Sequence, residues 1–315
     1  MEDKIITIGL SPAWDRTIEI HDIHWNQHKN ILSQKISPAG KALNINKALA
    51  WLGEQSTAAG LWGDEDFQQM KKFCRVGFSP RAKNARINIR LTKVPGQTRQ
   101  NITIVDTKNK RQMHLRSKST LANAHSLKLL KKELQKIIKK NSFAVFAGAM
   151  PNEAIELVEF AKKKAAAVIV DTSGPVLKKI VAKGGLLLIK PNIEELSELV
   201  GRKIKNEERD IISAAKKLLT KVKFILVSRG EKGAMLICDE YVLSAKYTGK
   251  KYPVYNTVAC GDYLLAGFIS CFCPRIDCAK RALEYGIKAA TAKAFALNEK
   301  LSFRQVEQKL KISIS

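Results

Sequence analysis

Beyond Ser119 the chain alternates between two textures. Short, almost wholly apolar runs occur at Phe143 to Ala147, Val168 to Asp171, Leu186 to Ile189 and Phe224 to Ser228. Between them, Leu127 to Lys139, Glu153 to Ala166, Val176 to Ala182, Ile193 to Leu199 and Asp210 to Leu219 carry apolar residues three or four apart. The first texture predicts strands buried on both faces, and the second predicts helices with one apolar stripe. Met235 to Cys238 and Tyr241 to Ser244 predict a hairpin, and helices run from Asp262 to near Leu297.

The first hundred residues are more varied. Ile5 to Leu10 is a β-rich run ending at Ser11-Pro12, and Lys41 to Leu52 has helical spacing and stops at Gly53. Thr57 to Leu61 reads as a strand and Phe67 to Cys74 as a helix. Arg86 to Leu91, Asn101 to Asp106 and Gln112 to Leu115 read as short strands, with a turn at Lys108-Asn109-Lys110. These are expected to pair with residues near 16 to 36 as a small antiparallel lid. The whole is an α/β fold: a mainly parallel sheet covered by helices on both faces, with a small β lid. Ligands in such sheets bind beyond the carboxyl ends of the strands.

Composition narrows this picture. A chain of 315 residues, 45% hydrophobic, buries a large core. Its best apolar stretch, Tyr263 to Cys273, falls well short of the roughly 20 residues of a membrane span. Glu2, Asp3 and Lys4 precede only a brief apolar stretch, unlike a secretory signal, so a cytoplasmic, soluble protein is expected. The six cysteines are expected to be buried thiols, because Cys271, Cys273 and Cys278 have no fourth zinc ligand nearby and all five histidines lie at or before His125. The net charge of +26 is spread over lysine pairs on many predicted helices. Scatter argues for solvated helix faces and against nucleic acid, although the excess still favours anionic ligands.

Candidate chemistry begins at Asn256-Thr257-Val258-Ala259-Cys260-Gly261-Asp262, ahead of the apolar helix that starts Tyr263-Leu264-Leu265. Small residues before a helix let backbone N–H groups approach an anion. A carboxylate in the first turn could take a proton from a hydroxyl, and it could equally be a helix cap.

The segment resembles the second signature of the PfkB family of the ribokinase superfamily. So do other segments, in the family's order. Pro38-Ala39-Gly40-Lys41-Ala42-Leu43-Asn44-Ile45 resembles the first signature, and Thr98-Arg99-Gln100-Asn101 the substrate strand. Ala147-Gly148-Ala149-Met150-Pro151, Asp171-Thr172-Ser173-Gly174, Lys190-Pro191-Asn192 with Glu195, and Val227-Ser228-Arg229-Gly230 with Gly233 continue it. The resemblance implies a single ribokinase-like domain over 1–315, with lid strands from about 16–36 and 86–117. It implies transfer of the ATP γ-phosphoryl to a ketohexose monophosphate, most similar to the members that convert fructose 1-phosphate to fructose 1,6-bisphosphate. Tagatose 6-phosphate or fructose 6-phosphate is the alternative acceptor, and a catalytically weak sugar-phosphate sensor the alternative class.

The same resemblance implies roles. Asp262 is the base, and the amides of Ala259, Cys260 and Gly261 form the anion hole. Asp15, Gly40, Lys41, Asn44 and Arg99 hold the sugar phosphate. Asn192, Glu195, Ser228, Gly230, Gly233 and Thr257 hold ATP, with Glu195 reaching Mg2+ through water. A homodimer through the lid strands is implied as well. For Asn192 and Glu195 a helix cap, and for Gly230 and Gly233 a simple turn, explain the residues equally well. Ala39, Ala42 and Ala259 stand where the family carries glycine, and Ala259 would be strained if its φ were positive.

Overall fold

The computed structural model describes residues 4–76, 87–164, 166–250, 252–255 and 257–315. Ten strands form the main sheet: β1 (Ile5–Gly9), β4 (Ser56–Gly63), β5 (Ile87–Val94), β8 (Phe143–Ala147), β9 (Ala167–Asp171), β10 (Leu186–Ile189), β11 (Val222–Ser228), β12 (Ala234–Ile237), β13 (Val242–Tyr247) and β14 (Ile312–Ile314). Their order is β14-β13-β12-β11-β10-β9-β8-β1-β4-β5. Pairing is parallel from β11 to β5 and antiparallel from β11 out to β14.

Successive residues of β8 explain why its run is apolar throughout. Ala144 and Phe146 enter one core, while Phe143, Val145 and Ala147 enter the other. The first core is closed by α3 (Ala124–Ile137), α4 (Ile155–Lys163), α5 (Gly174–Lys183), α6 (Ile193–Val200) and α7 (Glu208–Lys216). The second is closed by α1 (Lys41–Leu52), α8 (Cys260–Cys271), α9 (Ile276–Ala294) and α10 (Phe303–Lys309). Strand residues facing both layers are the expected cost of a parallel sheet. Among the described residues, no helix is long and apolar enough to cross a membrane.

The lid is a separate four-stranded sheet, ordered β3-β2-β6-β7 and built from β2 (Ala13–Ile20), β3 (Ile31–Ala39), β6 (Gln100–Asp106) and β7 (Arg111–Arg116). It is not wholly antiparallel, since β2 and β6 run parallel. Its root is fixed by Trp14, which meets Trp62 edge-on at 5.2 Å and donates its indole N–H to Asp66 at 2.5 Å. Met70 of α2 (Phe67–Val76) packs in the same cluster.

Two further expectations need correction. The strand expected from Arg86 belongs to the main sheet, not the lid: β5 pairs in parallel with β4 over eight residues, Ser56↔Ile87 to Gly63↔Val94. Arg86 itself lies outside the described residues. As an edge strand β5 buries one face only, and its alternation therefore mimics a lid strand. Cys273 and Cys278, expected as thiols, form a disulfide across the α8–α9 turn. Five residues apart in a turn, their Cα atoms come within 5.5 Å, inside the range a disulfide spans. Of the others, Cys238 is buried, whereas Cys260 and Cys271 are half-buried.

Candidate active site

Every candidate residue lies beyond the carboxyl ends of the parallel strands or at the lid root, and two clusters meet there. At the lid root, Asn101 of β6 sits beside Asp15 of β2 in parallel register and donates Nδ2 to Asp15 Oδ1 at 2.7 Å. Arg99 donates Nη1 to Asn101 Oδ1 at 2.8 Å and Nη2 to the Ser11 carbonyl at 3.4 Å. That carbonyl also adjoins Gly40, where an added Cβ would lie 3.3 Å from it and 3.2 Å from Pro12 Cα. Gly40 has φ +116°, so a side chain there would be strained by its backbone angle and crowded by its surroundings.

Gly40 opens α1, whose first turn points Lys41 and Asn44 into the second cluster. Lys41 Nζ lies 3.0 Å from Asp171 Oδ1, at the end of β9, and Lys190 Nζ, just past β10, lies 3.4 Å from the same oxygen. Asp171 Oδ2 is buried without a donor among the described residues. Asn44 donates Nδ2 to Asp262 Oδ2 at 2.9 Å. A Cβ added to Gly261 would sit 3.2 Å from Lys190 Nζ, so that ammonium lies against the turn that precedes Asp262.

The electrostatics of this cluster are lopsided. Asp171 is held below the ordinary carboxylate range, because the charges of Lys190 and Lys41 outweigh its burial. Asp262 is pushed up to about 7, first by burial and then by the negative charge of Asp171, against the opposing pull of Lys41, Asn44 and Lys190. Burial alone would weaken the charge of Lys41, but Asp171 and Asp262 raise its affinity for the proton above the ordinary lysine range. A carboxyl poised near neutrality beside two ammonium groups is suited to accept a proton at physiological pH.

Asp262 is not the cap of α8. Ala259 occupies that position, Asp262 is the third helical residue, and its carboxylate turns to Asn44 instead. The Ala259 side chain makes no cap hydrogen bond at the start of α8, and the amino end of a helix favours an anion. The Cys260 amide is partly spent on the Thr257 carbonyl at 3.3 Å. Burial pushes the Cys260 thiol up to about 11, so it stays neutral beside the turn.

Ala259 has φ +66° and ψ +4°, the left-handed conformation that its sequence position raised as a concern. We expect Ala259→Gly to stabilise the fold by about 1 kcal/mol by relieving this strain. Calorimetric melting of the two forms measures it, and a variant that melts lower would contradict it. Ala42 is less of a departure than it looked. Its methyl is buried against Gly9, where even one more Cβ would come within 2.9 Å.

Asn192, Ser228, Gly230, Gly233, Thr257, Cys260 and Gly261 come together as walls of one cleft of about 1010 Å³. Asn192 and Ser228 are joined by a parallel bridge across the ends of β10 and β11. Gly233 has φ +85°, and a Cβ there would fall 2.0 Å from the Ala245 carbonyl, which is the close turn its sequence allowed. Glu195 is not among the cleft walls. Asn192 Oδ1 accepts from the Glu195 amide at 2.7 Å and Glu195 Oε2 accepts from the Asn192 amide at 3.0 Å, a capping box at the start of α6. Asn256 lies outside the described residues.

Asp171, Lys190 and Asn101 were quoted within motifs but given no role. For Asp171 and Lys190 the signal was present: a charged residue ending or directly following an apolar strand points into the crevice where such sheets bind ligands.

Comparison with known proteins gives the same reading. The model of the pfkB family carbohydrate kinases matches residues 10–297. A 1-phosphofructokinase of Borreliella burgdorferi is 28% identical over 299 residues, covering 93% of this chain and 92% of its own. A D-tagatose-1-phosphate kinase of Bacillus licheniformis is 30% identical over 277 residues, 84% of each chain. Phosphofructokinase-2 from Escherichia coli, solved in complex with fructose-6-phosphate, superposes with a TM-score of 0.81 at 22% identity, over 98% of both chains. With a family match over almost its whole length and the signature residues gathered at one crevice, this chain belongs to the pfkB family of carbohydrate kinases.

Proposed function

We propose that the protein transfers the γ-phosphoryl of ATP to a hydroxyl of a ketohexose monophosphate, with fructose 1-phosphate first and tagatose 6-phosphate second. The observation that carries this is Asp262, buried, held by Asn44 and poised at about 7 next to Lys41 and Lys190. Asp262 takes the proton of the acceptor hydroxyl. The first-turn amides of α8 and the Lys190 ammonium receive the charge of the transferring phosphoryl. Asp15, Asn101 and Gly40 orient the sugar, and Arg99 with Lys41 holds the phosphate it already carries.

The donor set suits magnesium only in an indirect role. Among the described residues no group of three or more His, Cys, Asp or Glu side chains is disposed to hold a metal, and one Glu195 oxygen already caps α6. Magnesium retains waters and binds mainly to substrate phosphates, so Glu195 would reach it through water. When bound, the ion supplies charge neutralisation on the phosphates.

The test is a panel of hexose monophosphates and free ketohexoses with coupled detection of ADP. Turnover on fructose 1-phosphate or tagatose 6-phosphate is expected, with free sugars poor. Calorimetric binding of the sugar phosphate without turnover would replace the kinase reading with a sensor.

Self-association through the lid is part of the proposal. The lid's edge strands expose Ile31 and Leu32 on β3 and Met113 and Leu115 on β7. Exposed apolar side chains on open sheet edges are a natural contact for a second copy. Sedimentation of the parent against Leu32→Glu measures this, and a parent that sediments as a monomer ends it.

A further inference from the structure

The sequence scatters its lysine pairs over many helices, which speaks for solvated faces and against nucleic acid. The fold collects part of them at one end of the sheet. Each helix that joins two parallel strands runs back along them, so it ends where the next strand starts, opposite the candidate active site. Lys140 follows α3, Lys163 and Lys164 close α4, Lys183 ends α5, and Lys217 and Lys221 lead from α7 into β11. All six are exposed. The strand starts are level, since Phe143 donates its amide to the Lys4 carbonyl at 2.8 Å, Ala167 to Ser142 at 2.8 Å and Leu186 to Lys221 at 3.3 Å. Lys162 Nζ donates to the Gly184 carbonyl at 2.5 Å, and a Cβ on Gly184 would lie 3.3 Å from Lys221 Cδ, so neighbouring helix ends meet there. The row follows the starts of β8, β9, β10 and β11, whose three spacings span roughly 14 Å at about 4.8 Å each.

Carboxylates of these helices gather at the other end: Glu156 opens α4, Glu194 and Glu195 open α6, and Glu208 and Asp210 open α7. Glu133 and Glu159, nearer the row, are paired with Lys136 at 2.5 Å and Lys162 at 2.7 Å. A helix dipole explains a cation in a last turn, but Lys140 and Lys221 lie past the last turns of α3 and α7. The exposed large apolar side chains of the described residues lie on the lid, around the cleft and at Ile276 in the other helix layer, and none is in this row. A membrane contact uses apolar side chains and single strands use aromatic platforms, so the row suits neither. It offers ammonium groups without an arginine fork, which meet phosphates as point charges and read no base edge.

We propose that this row binds the phosphate backbone of a nucleic acid duplex without reading its sequence. A duplex presents one negative charge per about 1.7 Å of its axis, so a row of roughly 14 Å meets several phosphates at once. The net charge of +26 adds long-range attraction, and the row supplies the contact. The candidate active site opens at the opposite end of the strands, so a bound duplex leaves it accessible. The proposal is independent of the kinase reading.

The experiment is fluorescence anisotropy of the intact protein with labelled DNA and RNA duplexes of about 24 base pairs, two unrelated sequences of each, over a salt series. Expected are micromolar dissociation constants at about 50 mM salt, equal within a few-fold between sequences, and a slope of log K against log salt of about −4 to −5. Lys163→Gln, Lys164→Gln, Lys183→Gln and Lys221→Gln combined should weaken binding about 30-fold and flatten the slope by about 3. Lys221→Gln alone should flatten it by about 1, a readout that survives if the combined variant folds poorly. A control that removes the same charge away from the row, Lys72→Gln, Lys110→Gln, Lys300→Gln and Lys309→Gln combined, should bind within about threefold of the parent. A preference for DNA or for RNA names the partner and keeps the proposal. Equal losses in the two combined variants overturn it, because overall charge would then suffice. So does an absence of binding to either duplex at about 50 mM salt, or a preference beyond about tenfold between sequences. Tighter binding to vesicles of phosphatidylserine and phosphatidylcholine than to either duplex overturns it as well.

Discussion

Asp262→Asn is expected to lower kcat about 10³-fold while leaving the KM values for both substrates within a few-fold of the parent. The amide preserves the volume and still accepts the hydrogen bond from Asn44, so binding geometry survives and only proton acceptance is lost. In the parent, kcat should climb as pH rises through the Asp262 value of about 7 and level off above it, since only the carboxylate is a base. The same substitution has a stability signature of defined sign. A carboxyl raised from 3.8 to about 7 binds its proton more tightly in the folded chain than in the unfolded one. Its contribution to stability is full below the unfolded value and is lost as pH rises through about 7. Asp262→Asn should therefore melt higher than the parent at pH 8, with the gap closing towards pH 4. Steady-state kinetics and thermal melts at the two pH values read both effects, and full activity in the variant would remove Asp262 from the chemistry.

How far this site was legible in the sequence depends on which physical effect placed each residue. The helix over Lys41 to Leu52 was read to the residue, because its apolar spacing is interrupted at both ends by glycine, Gly40 and Gly53. The central strands were equally plain, since only a doubly buried strand demands the unbroken apolar run of Phe143 to Ala147. The edge strand Ile87–Val94 was not, because one exposed face gives it the alternation of a lid strand. The tail was missed for a related reason: α10 and β14 are too short for periodicity to emerge, and β14 gains its partner only from β13.

Within the site, the sequence identified Asp262 but left proton acceptor and helix cap both open as its role. The helix start at Ala259 and the tertiary contact with Asn44, 218 positions away, show that its carboxylate is not the cap. The reverse holds for Asn192 and Glu195, whose three-residue spacing allowed either role and which form a capping box here. That cap also fixes the start of α6 at the cleft wall, so local stabilisation and the shaping of that wall are one arrangement. Asp171 is the least legible member. Nothing in Asp-Thr-Ser-Gly reveals that two lysines, from 130 positions upstream and 19 downstream, converge on it.

Lys190→Met is the second large effect, and it separates electrostatics from packing. Lys190 is 5% exposed and lies between Asp171 and the Gly261 turn. Removing it leaves the buried Asp171 charge with Lys41 alone, which should cost about 3–5 kcal/mol of stability, since one member of a buried charged group loses its partner. The loss also removes positive charge that favours ionised Asp262, so the acid limb of the kcat profile should move from about pH 7 to higher pH. If the turn receives the transferring phosphoryl as proposed, loss of the ammonium there should lower kcat at the alkaline plateau by about 10²–10³. Lys190→Arg keeps the charge and should hold the acid limb at its parent position even if the bulkier guanidinium lowers the plateau. Asp171→Asn makes the opposite prediction: it deletes the negative neighbour that raises Asp262 and releases both lysines to it, so its acid limb should move to lower pH. A purely structural role for Lys190 would lower melting temperature in Lys190→Met and leave the acid limb where it is, and that result would remove the ammonium from the mechanism.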